Sequence, residues 1–347
     1  MNTRANQHGT PDRIRTCDLL LRRQALYPLS YGRLDTDVCE LYAGFGGKTR
    51  AQLIEHIHGR AHVAPGGVNI GVIKADDGNA ILIDTGLNDT AARKVLRELN
   101  AEDRQVVAIV TTHGHADHFG GNAFVVKRTG AKVYAPSWDE AVLRYPLFQP
   151  LCLFAGADPP ASLRSGFMLA GASPVDVVYD AGPLQIEGVE IKAVSLAGHS
   201  GNQMGLLIDE VFYCADVVLP DRVIERYKMP YLFSVRDHLK ALDRAQETPH
   251  LTAVPGHGTT LEHVGGLVDQ NRALVLEVAD RIVIICREPL MAEEILARLL
   301  GELEADPQDA AAYYLLHPTI FAFLTYLEER GDVSHEITGG RSLWRAR

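Results

Sequence analysis

The sequence predicts a mixed α/β layered domain followed by a small helical module, and three observations carry that prediction. From about residue 68 onward, apolar runs that read as strands alternate with amphipathic stretches that read as helices, the pattern of helices packed on sheet. A dense group of histidines and a carboxylate, Thr112-His113-Gly114-His115-Ala116-Asp117-His118, stands directly after one such run. Near Glu288 the character changes, and strands give way to two long helical patterns.

Each element has its own reason. Residues 68–74 and 80–84 read as a strand pair joined at the turn Asp76-Asp77-Gly78-Asn79. Residues 88–99 are an amphipathic helix with Asn88 as its N-cap. A buried strand over 106–111, the histidine-rich turn, a helix over 117–128 and a strand over 132–135 follow. Residues 137–182 lack regular periodicity and are rich in Pro, Ala, Leu and Phe, and loops this long usually serve as lids or binding loops. Tyr145, Phe148, Leu151, Leu153, Phe154, Phe167 and Met168 are candidate pocket walls there. A second such stretch, 219–233, carries Arg226, Tyr227, Lys228 and Tyr231, and Arg226 or Lys228 is placed to meet a carboxylate. The alternative for both stretches is an apolar satellite core or a homodimer contact. His56, His58 and His62 read as the polar face of an opening strand. Helices over 292–303 and 310–329 and a hairpin ending Ser342-Leu343-Trp344 resemble a winged helix. The expected division is therefore 1–50 as an N-terminal extension, 51–286 as the main domain and 287–347 as the winged-helix-like module.

The turn after residue 111 sets three imidazoles and a carboxylate within six residues. Neutral imidazole suits zinc and neighbouring first-row metals, and a carboxylate suits a hard or borderline cation. Further donors stand after other apolar runs: His199 in Leu196-Ala197-Gly198-His199-Ser200, Asp216 in Phe212-Tyr213-Cys214-Ala215-Asp216, and His257 in Val254-Pro255-Gly256-His257-Gly258. Each falls at the C-terminal end of an expected strand, the edge where open sheets gather functional groups. Cys214, two residues before Asp216, is the weaker ligand candidate.

With Ile83-Asp84-Thr85-Gly86 added to these residues, the chain resembles the metallo-β-lactamase-fold hydrolase superfamily, glyoxalase II-like enzymes included, over about residues 55–285. That resemblance implies an α+β fold, a four-layer αββα sandwich with a metal site along one edge. It implies that His113, His115 and His199 bind one metal, that Asp117, His118 and His257 bind a second, and that Asp216 bridges them. Asp84 matches the family's buried aspartate, expected to orient ligand imidazoles. Ser200-Gly201-Asn202 departs from the Thr-Pro-Gly that often follows the corresponding histidine.

Such a site implies a dinuclear metal-dependent hydrolase. Two divalent ions acidify a bridging water, so a hydroxide nucleophile exists near neutral pH, and they polarise the electrophile. Small esters, thioesters or lactones are the expected substrates, with zinc, two ions per chain, the default metal; the same ligands accept iron or manganese. Asp117 is either a pure ligand or also the acceptor of the proton that the attacking water gives up. Two alternatives stand beside this reading. One is a mononuclear iron dioxygenase of the persulfide type, whose second site is empty, against which Asp117, His118 and His257 argue. The other is a nuclease or nucleic-acid-binding protein.

Charge disfavours the nucleic-acid reading and an anionic membrane surface. The 347-residue chain carries 34 Lys+Arg against 44 Asp+Glu, a formal net charge of −10, and phosphate binding needs clustered positive charge. Within 287–347 the six cations are all Arg and face eleven acids, so the module reads as a packing unit. Cys17, Cys39, Cys152, Cys214 and Cys286 are scattered without paired spacing, as in a reduced, cytoplasmic protein. No transmembrane span or signal peptide is evident in the sequence. The expected partner is a small-molecule substrate with an apolar part.

Residues 11–33 show neither helical nor strand periodicity and resemble an antisense translation of a transfer-RNA gene; Arg13-Ile14-Arg15-Thr16 can be encoded CGG ATT CGA ACC, the complement of a T-arm. The expectation is a reading frame begun too early, with a true start at a non-Met codon such as that of Val38 or Leu53; the alternative is a basic, disordered tail. Deleting residues 1–37 should leave folding, metal content and activity unchanged. The intact mass of the natively expressed protein checks this, and a chain beginning at Met1 contradicts it.

Overall fold

The computed structural model describes residues 52–164 and 166–347. The expected N-terminal extension lies outside the described residues. Strands β1 (Glu55–His58), β2 (Ala61–Ala64), β3 (Ile70–Lys74) and β4 (Asn79–Ile83) form an antiparallel meander. Helix α1 (Asp89–Ala101) returns the chain so that β5 (Gln105–Val110) pairs parallel with β4. The Asn88 side chain caps α1 by accepting from the Thr90 and Ala91 amides. β6 (Lys132–Pro136) and β7 (Val177–Tyr179) extend the sheet in parallel to seven strands.

A second, five-stranded sheet runs β12-β11-β10-β9-β8. Its strands are β8 (Gly182–Ile186), β9 (Val189–Ser195), β10 (Met204–Ile208), β11 (Val211–Ala215) and β12 (Thr252–Pro255). Helices α6 (Asp221–Tyr227) and α7 (Val235–Glu247) lie between β11 and β12, and α8 (Gly265–Ile285) follows.

Side-chain alternation stacks these pieces into four layers. In β4, Ala80 and Leu82 pack with Ala92, Val95 and Leu99 of α1, whereas Ile81 and Ile83 join the layer between the sheets. In β11, Val211 and Tyr213 face that same layer while Phe212 and Cys214 pack with Ala241 and Leu242 of α7 and Val268 of α8. The order is helix, sheet, sheet, helix, the αββα sandwich the resemblance implied. β5 carries one irregularity. Its register to β4 slips between Ala80↔Val106 and Ile81↔Ala108, so Val107 and Ala108 both join the inter-sheet layer and the alternation resumes beyond them.

The helix expected over 117–128 is two helices, α2 (Ala116–Phe119) and α3 (Asn122–Thr129). Gly120 and Gly121 divide them because the backbone there runs hard against the Asp84-loop. A Cβ on Gly120 would lie 2.0 Å from the Leu87 carbonyl oxygen, and one on Gly121 2.8 Å from that of Thr85. The 137–182 stretch holds two short α-helices, α4 (Asp139–Arg144) and α5 (Phe148–Leu153), two single 3-10 turns (Ala161–Leu163 and Gly166–Met168) and the edge strand β7.

Helices α9 (Ala292–Glu302) and α10 (Ala310–Arg330) and the hairpin β13 (Val333–Thr338)–β14 (Arg341–Ala346) complete the described chain. They share one apolar core with α8 and with Met229, Leu232 and Val235. By length and composition α10 could cross a membrane, yet its Leu316, Ile320, Phe323, Leu324 and Leu327 are buried in that core.

Candidate metal centre

The C-terminal ends of β4, β5, β9, β11 and β12 reach one edge of the sandwich, because β4 and β5 are parallel, β11 and β12 are parallel, and β9 runs in the direction of β11. Every candidate ligand stands just past one of these ends. The seven residues form three overlapping groups whose donor atoms lie within 4.8 Å of one another: His113, His115 and His199; His113, His118 and Asp216; Asp117, His118 and His257. The groups overlap at His113 and His118, and the Asp216 carboxylate lies among them, 3.4 Å from His118, 3.5 Å from His199 and 3.3 Å from His257.

Hydrogen bonding fixes which atom each ring turns inward. His113 Nδ1 lies 3.0 Å from Thr112 Oγ1, which donates its own proton to Asp84 Oδ2 at 2.7 Å. His199 Nδ1 lies 3.1 Å from the Tyr231 carbonyl oxygen, and His257 Nδ1 2.7 Å from that of Gly67. A ring that donates through Nδ1 keeps a lone pair on Nε2. The Nε2 atoms of His113 and His199 each stand 3.0 Å from His115 Nδ1, so lone pairs converge where at most one proton can serve them.

Asp84 reaches all three groups through His118 and, by way of Thr112, His113. Its Oδ2 accepts from His118 Nδ1 at 2.8 Å and its Oδ1 from the Thr112 amide at 2.8 Å. The residue sits in the left-handed region, φ 58°, an uncommon conformation for a non-glycine that turns the chain sharply off β4.

Electrostatics tell the same story. Burial, and then the neighbouring imidazoles of His118 and His115, hold His113 well below its usual pKa; burial and His115 do the same to His199. For His118, burial opposes protonation, but Asp216 and Asp84 outweigh it and raise the pKa well above the usual value. Burial likewise opposes ionisation of Asp216, and His257 and His118 overcome it, holding the carboxyl well below its usual range. His257 is raised to about 9 against its own burial, chiefly by Asp216.

These residues fit a pair of divalent cations. His118 Nε2 and Asp216 Oδ1 are buried 3.4 Å apart, and neither has a hydrogen-bond partner among the described residues. Orphaned buried polar atoms are costly, and cations between the three groups would satisfy both atoms along with the converging lone pairs. Imidazole and carboxylate donors together suit zinc, iron or manganese.

Some of what positions the ligands escapes the sequence. Asp139 is buried and bridges two ligand turns, accepting from the Gly114 amide at 2.7 Å and the Asn202 amide at 2.8 Å. Burial raises its pKa against those hydrogen bonds. Asn202 donates through Nδ2 to Ser137 Oγ and Asp180 Oδ1, which gives the departure at Ser200-Gly201-Asn202 a structural role. Gly256 packs so tightly that a Cβ there would lie 2.0 Å from Asp216 Oδ1. The Tyr231 ring meets His115 and His199 edge-on, with centroids 5.4 and 5.7 Å apart.

Other sequence candidates stand elsewhere. Cys214 faces the helix layer with α7, its thiol pushed up to about 12 by burial, and belongs to none of the three groups. His56 and His62 lie on the β1–β2 hairpin and pack edge-on at 4.9 Å. Arg226 rests over the Tyr227 ring. Leu153, Leu163 and Met168 form a small separate core, against which Phe154, Phe167 and Tyr314 of α10 pack.

Comparison with known proteins agrees with this geometry. The sequence model of the metallo-beta-lactamase superfamily matches residues 63–257, more than half of the chain. Among curated proteins, the hydroxyacylglutathione hydrolase of Serratia proteamaculans is 25% identical over 150 residues, 43% of this chain and 46% of that protein. That of Methylobacillus flagellatus is 38% identical over 63 residues, 18% of this chain and 24% of that protein. The chain thus spans less than half the length of either relative. A beta-lactamase domain protein from Burkholderia ambifaria superposes with a TM-score of 0.67 at 19% identity, covering 85% of this chain and 94% of the other. A metallo-beta-lactamase family protein from Thermus thermophilus gives 0.61 at 19%, covering 85% and 97%. These two share the fold. With a family match across the ligand-bearing strands and three overlapping groups of candidate metal ligands at their ends, the chain belongs to the metallo-beta-lactamase superfamily.

Proposed function

We propose that the chain is a dinuclear zinc hydrolase of small esters, thioesters or lactones with an apolar part. The observation that carries this reading is that the ligand groups overlap at His113 and His118, with the Asp216 carboxylate within 3.5 Å of His118, His199 and His257, an arrangement that offers seven donors to two neighbouring ions rather than one. His113, His115 and His199 would hold the first ion, Asp117, His118 and His257 the second, and Asp216 would serve both. When bound, two such ions supply an acidified water and an electrophilic anchor for the acyl oxygen.

The chain's own residues do the rest. Asp117 Oδ2 stands 3.5 Å from His257 Nε2, and its side chain is 27% exposed, so it can reach a water in the cleft and accept its proton. Asp84 and Thr112 hold His118 and His113 in the tautomers that keep Nε2 free. The hydroxyacylglutathione hydrolase name of the curated relatives supports an acyl substrate, and the net charge of −10 supports a small molecule over nucleic acid or membrane. Segment 287–347 is read as a winged-helix-like packing unit, and the protein as cytoplasmic.

Purified protein should hold close to two divalent ions per chain, mostly zinc, and should hydrolyse members of an ester, thioester and lactone panel in preference to phosphodiesters. Elemental analysis that gives a single iron, with oxygen uptake, would replace the hydrolase by the dioxygenase.

A further inference from the structure

A cavity of about 330 Å³ lies between the 231–236 segment, the end of α5 and one side of α10, and none of the seven candidate ligands lines it. Its size falls within the roughly 300–1,000 Å³ of small-molecule sites. We propose that it binds the unbranched apolar arm of the substrate whose scissile group reacts at the metal centre. This rests on the hydrolase reading above.

Three observations point to such an occupant. First, the cavity adjoins the metal centre through a shared residue: Tyr231 lines it and also meets the His115 and His199 rings edge-on. Phe233, another lining residue, donates its amide to the Gly198 carbonyl oxygen in the turn that carries His199. Second, the walls are mainly apolar: the exposed Phe233 and Phe321 rings and Pro318 and Ala322 of α10 line the cavity, over buried Leu153, Leu232 and Val235. Third, the charges on the walls are already matched. The Arg236 guanidinium pairs with Glu329 at 2.6 Å and with Asp237, so the described walls offer no free cation to a phosphate or carboxylate. A neutral chain suits such a lining, because each methylene moved from water onto apolar walls favours binding about fourfold. α10, from the C-terminal segment, then sets how long a chain is accepted.

Calorimetric titration of the zinc-loaded protein with straight-chain methyl ketones, 2-butanone to 2-nonanone, tests this without turnover. Affinity should rise about fourfold per methylene and then level off. Ala322→Trp, which fills the cavity, should abolish the rise, and Phe321→Ala should shift the plateau to longer chains, both with zinc content equal to the parent's. No rise in the parent, or a rise undiminished in a folded Ala322→Trp protein, overturns the proposal. Should Ala322→Trp not fold, an unmoved plateau in Phe321→Ala overturns it. Hydrolysis is scored separately. Chain-length-dependent binding without hydrolysis of any ester, thioester or lactone would leave the cavity assignment standing and defeat the hydrolase reading, whereas hydrolysis without chain-length-dependent binding would do the reverse.

Discussion

Asp117→Asn is expected to lower turnover by about two orders of magnitude or more while the fold persists. Proton transfer by a positioned group contributes about that much, and an amide cannot take a proton from water. The variant keeps the side chain's size, and Asp117 lies at the start of the short helix α2, half-exposed, so no core contact is lost. The first histidine group does not include it, which separates the chemical loss from loss of all metal. Steady-state rates with metal counted per chain decide the matter. Near-native turnover at full metal content would remove Asp117 from proton transfer and leave it a ligand only.

Gly256→Ala should damage the site from behind. The new Cβ would stand 2.0 Å from Asp216 Oδ1 and 2.9 Å from His118 Cε1, both members of the middle ligand group that links the other two. Both are buried with little room to move, so the carboxylate must swing out of line. Disturbing a group that orients ligands typically costs about 10- to 100-fold in metal affinity. We expect at least that loss, measured by competition with a chelator, and a parallel fall in activity. Gly265→Ala is the control, since a Cβ there meets open space. If Gly256→Ala retains metal as tightly as Gly265→Ala does, the close packing around Asp216 has no bearing on the site.

The clustering of the candidate ligands was legible in the sequence because donors after apolar runs land at strand ends, and parallel pairing gathers those ends on one edge. Local chemistry was equally plain where neighbours in sequence are neighbours in space, as at the Asn88 cap. What stayed hidden depends on long-range packing. The break at Gly120-Gly121 follows from the approach of the Leu87 and Thr85 carbonyls, more than thirty residues earlier in the chain. Asp139 looks like an ordinary helix-start carboxylate until the fold sets it between Gly114 and Asn202. Phe154, read as a pocket wall or part of a satellite core, packs edge-on with Tyr314 of α10 at 5.1 Å, a partner that no local pattern names.

Asp84 has one carboxylate and two clients. It holds His118 directly and His113 through Thr112, and each ligand group contains at least one of these two imidazoles. Two ions held by these groups would therefore have no independent foundations, and damage at Asp84 would not be confined to one of them. Asp117 and His257 are different, for they belong to the third group alone. A descendant of this chain that gave up its second ion while keeping the first would have to lose it at those two positions. On the proposed two-ion reading, the route to a one-ion site is thus narrow, and it passes through Asp117, the proposed proton acceptor.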